Sequence, residues 1–179
     1  MDATLQEARE RLMMPTPLKR DCGRVCGARC CRPLEGEKTG MLLFPGEEEA
    51  YAGRAGWKLR ETAMGLMVIC SGACEREERP LACRMFPLLP LPERTGEIRA
   101  VIDRRAGAVC PLARQGIQTM DPAFLRAVRE AGEILAADPR QAVFLKTLAE
   151  EQEELKELQK RLGGGRDDQA GPGGSGSVR

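Results

Sequence analysis

The sequence predicts an α+β fold in which a loop-rich domain with short strands is followed by a C-terminal helical hairpin. Short apolar segments separated by glycine and proline occur between residues 40 and 105, a pattern typical of strands and turns. Two longer segments after residue 120 carry apolar residues at helical spacing. All eight cysteines of the 179-residue chain lie in its first 110 residues, which predicts a cysteine-rich domain over residues 18–115.

The N-terminal part is predicted to contain one helix, one strand and one hairpin. Apolar residues at helical spacing predict a helix over residues 2–14, which prolines at 15 and 17 end. The run GMLLFP (40–45) predicts a strand, and residues 46–56 predict one or two helical turns. The acidic residues in GEEE (46–49) indicate a helix start rather than a metal site. Residues 57–70 predict a β-hairpin.

The following segment is predicted to alternate short helices with extended chain. A short helix is expected from Pro80 to Met85, because proline is favoured at the first helical position. The proline-rich run PLLPLP (87–92) predicts extended chain, and alternating apolar residues predict a strand within 97–105. A further short helix is expected to begin near Cys110.

The C-terminal part is predicted to form a helical hairpin over residues 121–162. Each of its helices begins with an Asp-Pro pair, at residues 121 and 138, which supplies an N-cap and a proline at the first helical position. The leucine stripe of the second helix indicates core packing or contact with a protein partner. Residues 163–179, rich in glycine and serine, predict a disordered tail.

Composition narrows the classes of partner. The chain has 28 basic and 27 acidic residues and few aromatic residues, so we expect neither nucleic acid nor an anionic membrane as a partner. No apolar run approaches the roughly 20 residues that span a bilayer. The N-terminus has early acidic residues and no apolar core of a signal peptide. These features predict a cytoplasmic protein.

The chain contains no histidine, which limits both catalysis and metal ligation. Catalytic pairs that need an imidazole, such as Ser-His-Asp or Cys-His, are excluded. We therefore assign no catalytic residue. Any transition metal would have to be held in a sulfur-rich shell.

The cysteines form two groups of four along the sequence. In a cytoplasmic protein, clustered cysteines indicate metal ligation or redox activity before disulfides. Disulfides, redox thiols and ordinary buried cysteines remain alternatives. Four thiolates suit a tetrahedral zinc ion, and they also suit an iron–sulfur cluster. The two groups could make two four-thiolate sites, or one cluster with extra ligands. The predicted metal ligands are Cys22, Cys26, Cys30 and Cys31 in the first group and Cys70, Cys74, Cys83 and Cys110 in the second.

The adjacent pair Cys30 and Cys31 constrains how a centre is built. Neighbouring side chains diverge in most backbone conformations, so we expect the two to serve different metals or different irons, or only one of them to ligate. We therefore expect residues 22–31 to supply part of a centre that the second group completes. Arginines that could offset thiolate charge flank both groups, at positions 20, 24, 29 and 32 and at positions 76, 79 and 84.

The cysteine pattern resembles the YkgJ-like cysteine-cluster family, which is described as zinc- or iron-chelating. The motif Arg-Pro-x-x-Cys-Arg-x-Phe-Pro at residues 79–87 matches that family, and the resemblance covers about residues 20–112. The first group differs, with three residues between cysteines where the family often has two. The same module resembles the cysteine-rich part of flagellin lysine-N-methylases, which implies that an iron–sulfur cluster is an option.

These observations predict a metal-binding protein that holds zinc or an iron–sulfur cluster through cysteine thiolates, as a carrier, a sensor or a structural adaptor. Because aromatic residues are few, we expect a weak apolar core to which metal binding adds folding energy. One alternative is a cluster-dependent, protein-modifying enzyme component, against which the absence of a glycine-rich nucleotide loop counts. Another is an interaction platform that docks a partner through the C-terminal helix.

Overall fold

The described part of the chain is mixed α and β, as the sequence predicts. A computed structural model of the protein describes residues 1–32, 40–72 and 74–163. Apart from Gly163, the predicted disordered tail lies outside these residues. Within them, no helix is both long enough and apolar enough to cross a membrane.

A three-stranded antiparallel sheet carries one of the cysteines at its end. The predicted hairpin is confirmed, with Trp57 opposite Cys70. The strand predicted from GMLLFP is shorter than expected and pairs with the second strand of the hairpin, which therefore lies in the middle of the sheet. The strands are β1 (Gly40–Leu42), β2 (Trp57–Thr62) and β3 (Gly65–Cys70).

A second sheet consists of two antiparallel strands, β4 (Leu88–Pro92) and β5 (Ile98–Ile102). The proline-rich run PLLPLP therefore forms a strand. Its prolines are compatible with pairing because a two-stranded sheet leaves one edge of each strand free of ladder hydrogen bonds. The first residue of β4, Leu88, lies opposite Ile102.

The α-helices that the sequence predicts are present, with small shifts in their ends, but the one-turn helix at Gly23–Cys26 was not predicted. Asp121 accepts a hydrogen bond from the Ala123 amide (2.9 Å), and Asp138 accepts one from the Arg140 amide (2.8 Å). Pro80 is the N-cap of its helix rather than its first residue. Residues 46–56 contain a single 3-10 turn, Glu48–Ala50. The helices are α1 (Ala3–Arg11), α2 (Gly23–Cys26), α3 (Leu81–Met85), α4 (Pro111–Gln115), α5 (Pro122–Ala136) and α6 (Pro139–Gly163).

One apolar core runs through the predicted cysteine-rich domain and the helical hairpin. Leu5 of α1, Met85 of α3 and Phe124 of α5 are fully buried in the same cluster. Phe44 and Phe144 meet edge to face, with ring centroids 5.1 Å apart. Aliphatic side chains supply most of this cluster, so the scarcity of aromatic residues does not prevent a continuous core.

Close packing of α5 on the β4–β5 sheet predicts that Gly132→Ala destabilises the protein. A Cβ at Gly132 would lie 2.7 Å from Cγ2 of Ile98 and would also clash with the ring of Pro90. Overpacking costs about 1–3 kcal/mol, and the better helix propensity of alanine returns up to about 1 kcal/mol. We expect the free energy of unfolding in urea to fall by about 1–2 kcal/mol. Gly107→Ala is the control, because its Cβ would meet nothing within 4 Å; equal effects would contradict the close contact.

Candidate metal centre

All eight cysteines line one cavity of about 210 Å³. They belong to the described residues, and all eight are free thiols. The structure thus brings together the two groups that are separate in sequence. The cysteines reach the cavity from the α2 turn, the 3-10 turn after it, the end of β3, the loop before α3, α3 itself and the N-cap of α4.

A reversal of the backbone after α2 carries the first group around the cavity. Gly27 (φ +67°) and Ala28 (φ +53°) adopt left-handed conformations, and a 3-10 turn, Arg29–Cys31, follows. The Cys31 amide donates to the Ala28 carbonyl at 2.8 Å. Gly27, which adopts a left-handed conformation without steric cost, therefore ends the short helix α2.

The 3-10 turn brings the sulfur atoms of Cys30 and Cys31 to 3.9 Å from each other. The divergence that we expected for adjacent side chains is therefore not present. Thiolates bound at about 2.3 Å to one tetrahedral ion lie roughly 3.8 Å apart, so these two sulfurs have the spacing of one tetrahedral edge.

The Cys30–Cys31 contact separates the acidities of the two thiols. The contact between the Cys30 and Cys31 sulfurs is within hydrogen-bonding distance, and the interaction with Cys30 lowers the pKa of Cys31 to about 6. The same interaction, together with burial, raises the pKa of Cys30. Cys31 is thus the thiol of this pair that becomes a thiolate first.

Cys83 lies among thiols of both sequence groups. Burial raises the pKa of Cys83 well above its ordinary value, and Cys31, Cys70 and Cys74 raise it further. Negative charge on any of these three sulfurs therefore disfavours the thiolate form of Cys83, as a like charge nearby does. One part of the cavity wall thus combines three second-group cysteines with one from the first.

Cys22 has neighbours from both groups as well. Burial raises the pKa of Cys22 to about 11, with further contributions from Cys26, Asp21 and Cys110. Cys110, the last cysteine in the sequence, is therefore a neighbour of the first. The two sequence groups interleave around the cavity and do not form separate pockets.

A buried glutamate holds the helix that carries Cys83. Glu47 is fully buried, and its carboxylate pairs with Arg9 at 3.0 Å. It also accepts hydrogen bonds from the backbone amides of Leu81 (2.8 Å) and Phe44 (3.0 Å). The Leu81 amide is the first of α3, so Glu47 satisfies an otherwise orphaned helix donor. Sequence reasoning missed this role, because nothing in GEEE distinguishes Glu47 from its two neighbours.

The arginines that flank the two groups differ in position. Those at 20, 24, 29 and 32 are exposed, whereas those at 76, 79 and 84 line the cavity. The Arg76 guanidinium donates to the carbonyl oxygens of Leu12, Met13 and Pro15, which fixes the segment after α1 against the cavity wall. No local pattern in the sequence indicates this contact, because its partners lie 61–64 residues away.

The sulfur atoms surround the cavity without meeting at one point. Within residues 1–32, 40–72 and 74–163, no three cysteine, aspartate or glutamate side chains are close enough together to hold a metal ion. The residues predicted as ligands therefore share a wall but do not form a finished ligand set.

Comparison with known proteins adds no assignment: no family model, curated protein or solved structure matches this chain.

Proposed function

We propose that this protein binds a metal centre, zinc or an iron–sulfur cluster, through cysteine thiolates in the cavity that its eight cysteines line. The observation that carries the proposal is that all eight thiols, from segments up to 88 residues apart (22 to 110), line that one cavity. Eight cysteines gathered by packing alone would be unusual, because buried cysteines behave as small apolar residues with no reason to cluster.

The donor chemistry and the space fit a centre larger than one ion. Thiolates are preferred ligands of zinc and of iron–sulfur clusters. The cavity of about 210 Å³ exceeds the roughly 150 Å³ cavity that admits a benzene ring. Sulfurs distributed around such a space favour a cluster, or two ions, over one ordinary tetrahedral zinc. Loading would draw the sulfurs inward, and the glycine-containing α2 turn is the segment best suited to move.

The interleaving of the two sequence groups supports a shared centre. Cys83 has Cys31 as a neighbour, and Cys22 has Cys110. A centre built on either set of neighbours takes ligands from both groups. We therefore propose that neither group binds its metal alone.

The proposed biological role is that of a carrier, a sensor or a structural adaptor in the cytoplasm, where free thiols persist. The resemblance to YkgJ-like proteins is part of this proposal. A centre lined by partly exposed cysteines, such as Cys30, is accessible to exchange with solvent or a partner.

A second candidate function is docking of a protein partner on the end of α6. Leu158 and Leu162 are 51% and 71% exposed, so this end of the leucine stripe does not pack in the core. We expect Leu158→Ser with Leu162→Ser to abolish any association of the chain seen by light scattering, without changing its metal content. A wild-type chain that stays monomeric alone and in extracts would contradict this candidate.

Purification without oxygen, followed by metal analysis and absorption spectroscopy, tests the metal proposal. A colourless protein with about two zinc equivalents would identify zinc, and a brown protein with iron and sulfide would identify a cluster. Alkylation of the denatured protein with iodoacetamide before refolding is the control, and we expect it to abolish uptake of the same metal. A wild-type protein free of metal after purification and after reloading would contradict the proposal.

A further inference from the structure

Three arginines line the cysteine cavity, and their hydrogen bonds distinguish one of them. Arg76 donates to three backbone carbonyls, as described above. Arg84 also donates to backbone carbonyls, those of Arg79 (3.3 Å), Arg9 (3.4 Å) and Glu77 (2.8 Å). The guanidiniums of Arg76 and Arg84 thus donate hydrogen bonds to backbone carbonyls, and these hydrogen bonds hold the cavity wall together.

Arg79 differs, because its side chain is directed to sulfur. Arg79 lines the same cavity as Cys74, Cys31 and Cys83. Burial lowers the pKa of its guanidinium, but these three thiols outweigh burial and raise it. Its Nε is buried and has no hydrogen-bond partner among the described residues. A buried hydrogen-bond donor without an acceptor lowers the stability of the folded state. At the wall of a thiol-lined cavity, binding of a ligand would supply the missing acceptor.

The backbone of Arg79 is held on both sides, so its side chain starts from a fixed point. Its amide donates to the Arg76 carbonyl at 3.2 Å, and its carbonyl accepts from Arg84 Nε at 3.3 Å. Pro80 follows and caps α3. A guanidinium on such a segment is preorganised, and less entropy is lost when it forms hydrogen bonds.

We infer that Arg79 is a positioning residue for the bound metal centre: its guanidinium donates hydrogen bonds to thiolate sulfur, first that of Cys74, and offsets the negative charge of the loaded site. This inference rests on the proposed function. Four thiolates around one divalent ion leave a net charge of −2, and the fork of five N–H donors on arginine can serve two sulfurs at once. Hydrogen bonds to ligand atoms orient the ligands and tune the metal.

The test compares Arg79→Gln and Arg79→Lys with the wild type and with Arg29→Gln. The control removes the same charge one residue from Cys30, but from an exposed side chain. Each purified apo chain is reloaded with Co²⁺, and separately with Fe²⁺ and sulfide. The chelator concentration that removes half of the metal and the thiolate-to-metal absorption band are recorded, together with the unfolding curve of each apo chain.

We expect Arg79→Gln to lose metal at about 10–100-fold lower chelator concentration and to shift the absorption band. Arg79→Lys keeps the charge without the planar fork, and we expect it to recover part of the affinity while the band stays shifted. Arg29→Gln should change the affinity less than about fivefold. Should Arg79→Gln fail to fold, the band of Arg79→Lys decides the question.

Wild-type affinity and an unchanged band in the folded Arg79 variants would overturn the inference while leaving the proposed function intact. An effect of Arg29→Gln equal to that of Arg79→Gln would also overturn the inference. The loss of one positive charge near the cysteines, at either position, would then explain both effects. A wild-type chain that takes up neither Co²⁺ nor iron and sulfide would overturn the proposed function and the inference together.

Discussion

Glu47→Ala is expected to lower the free energy of unfolding by about 3–5 kcal/mol. The substitution leaves the buried Arg9 guanidinium without its carboxylate, and removing one partner of a buried ion pair is strongly destabilising. It also leaves the amides of Leu81 and Phe44 without their acceptor. Urea unfolding of the apo protein measures the loss. Because Leu81 begins α3, which carries Cys83, we expect weaker metal uptake as well.

Glu49→Ala is the matched control for this substitution, since Glu49 is two residues away in the same acidic run. Its side chain is 74% exposed and pairs with the N-terminal amine. Exposed pairs contribute about 0–1 kcal/mol, so we expect little change. Equal losses from Glu47→Ala and Glu49→Ala would show that the buried carboxylate does not hold α3 in the way we describe.

Metal loading is expected to stabilise the cavity segments rather than the whole chain. The apolar core joins α1, α3, α5 and α6 through residues such as Leu5 and Phe124, and none of the eight cysteines belongs to it. The α2 turn, by contrast, has no buried residue. At free metal about 100-fold above the dissociation constant, opening reactions that release the metal are suppressed by about 100-fold. Amide hydrogen exchange should slow by that order in residues 22–31.

The helical hairpin supplies the internal control for this experiment. Exchange in residues 122–136 of α5 should change little on loading, and the chelated protein should keep the circular dichroism of its helices. A chain that unfolds completely when the metal is removed would contradict this account. It would instead support the expectation from composition, in which a weak core depends on metal for its folding energy.

The local elements were predictable because short-range signals determine them. Asp-Pro pairs define the starts of α5 and α6, and the apolar alternation of residues 57–70 gives the hairpin. The shared core was not predictable, because it depends on contacts such as Phe44 with Phe144, which are 100 residues apart. No local periodicity encodes such a contact.

In the candidate site, too, the residue types were predictable from the sequence, but the long-range contacts were not. Thiol chemistry and the compartment expected from the sequence identified all eight cysteines as candidates. The roles of Glu47 and Arg76 depend on which backbone groups they reach, and those groups lie 34 and 61–64 residues away in sequence. The proximity of the Cys30 and Cys31 sulfurs also depends on backbone angles, at Ala28 and the 3-10 turn, that residue spacing does not specify.

We propose that the two groups of cysteines build one shared centre, and replacement of one whole group followed by measurement of metal content is the decisive experiment. In one variant serine replaces Cys22, Cys26, Cys30 and Cys31; in the other it replaces Cys70, Cys74, Cys83 and Cys110. Metal per folded chain is measured after anaerobic reloading, beside the wild type. We expect each variant to lose nearly all of the metal, because every proposed centre takes ligands from both groups. Retention of about half of the metal by each variant would contradict it and would show two independent four-cysteine sites.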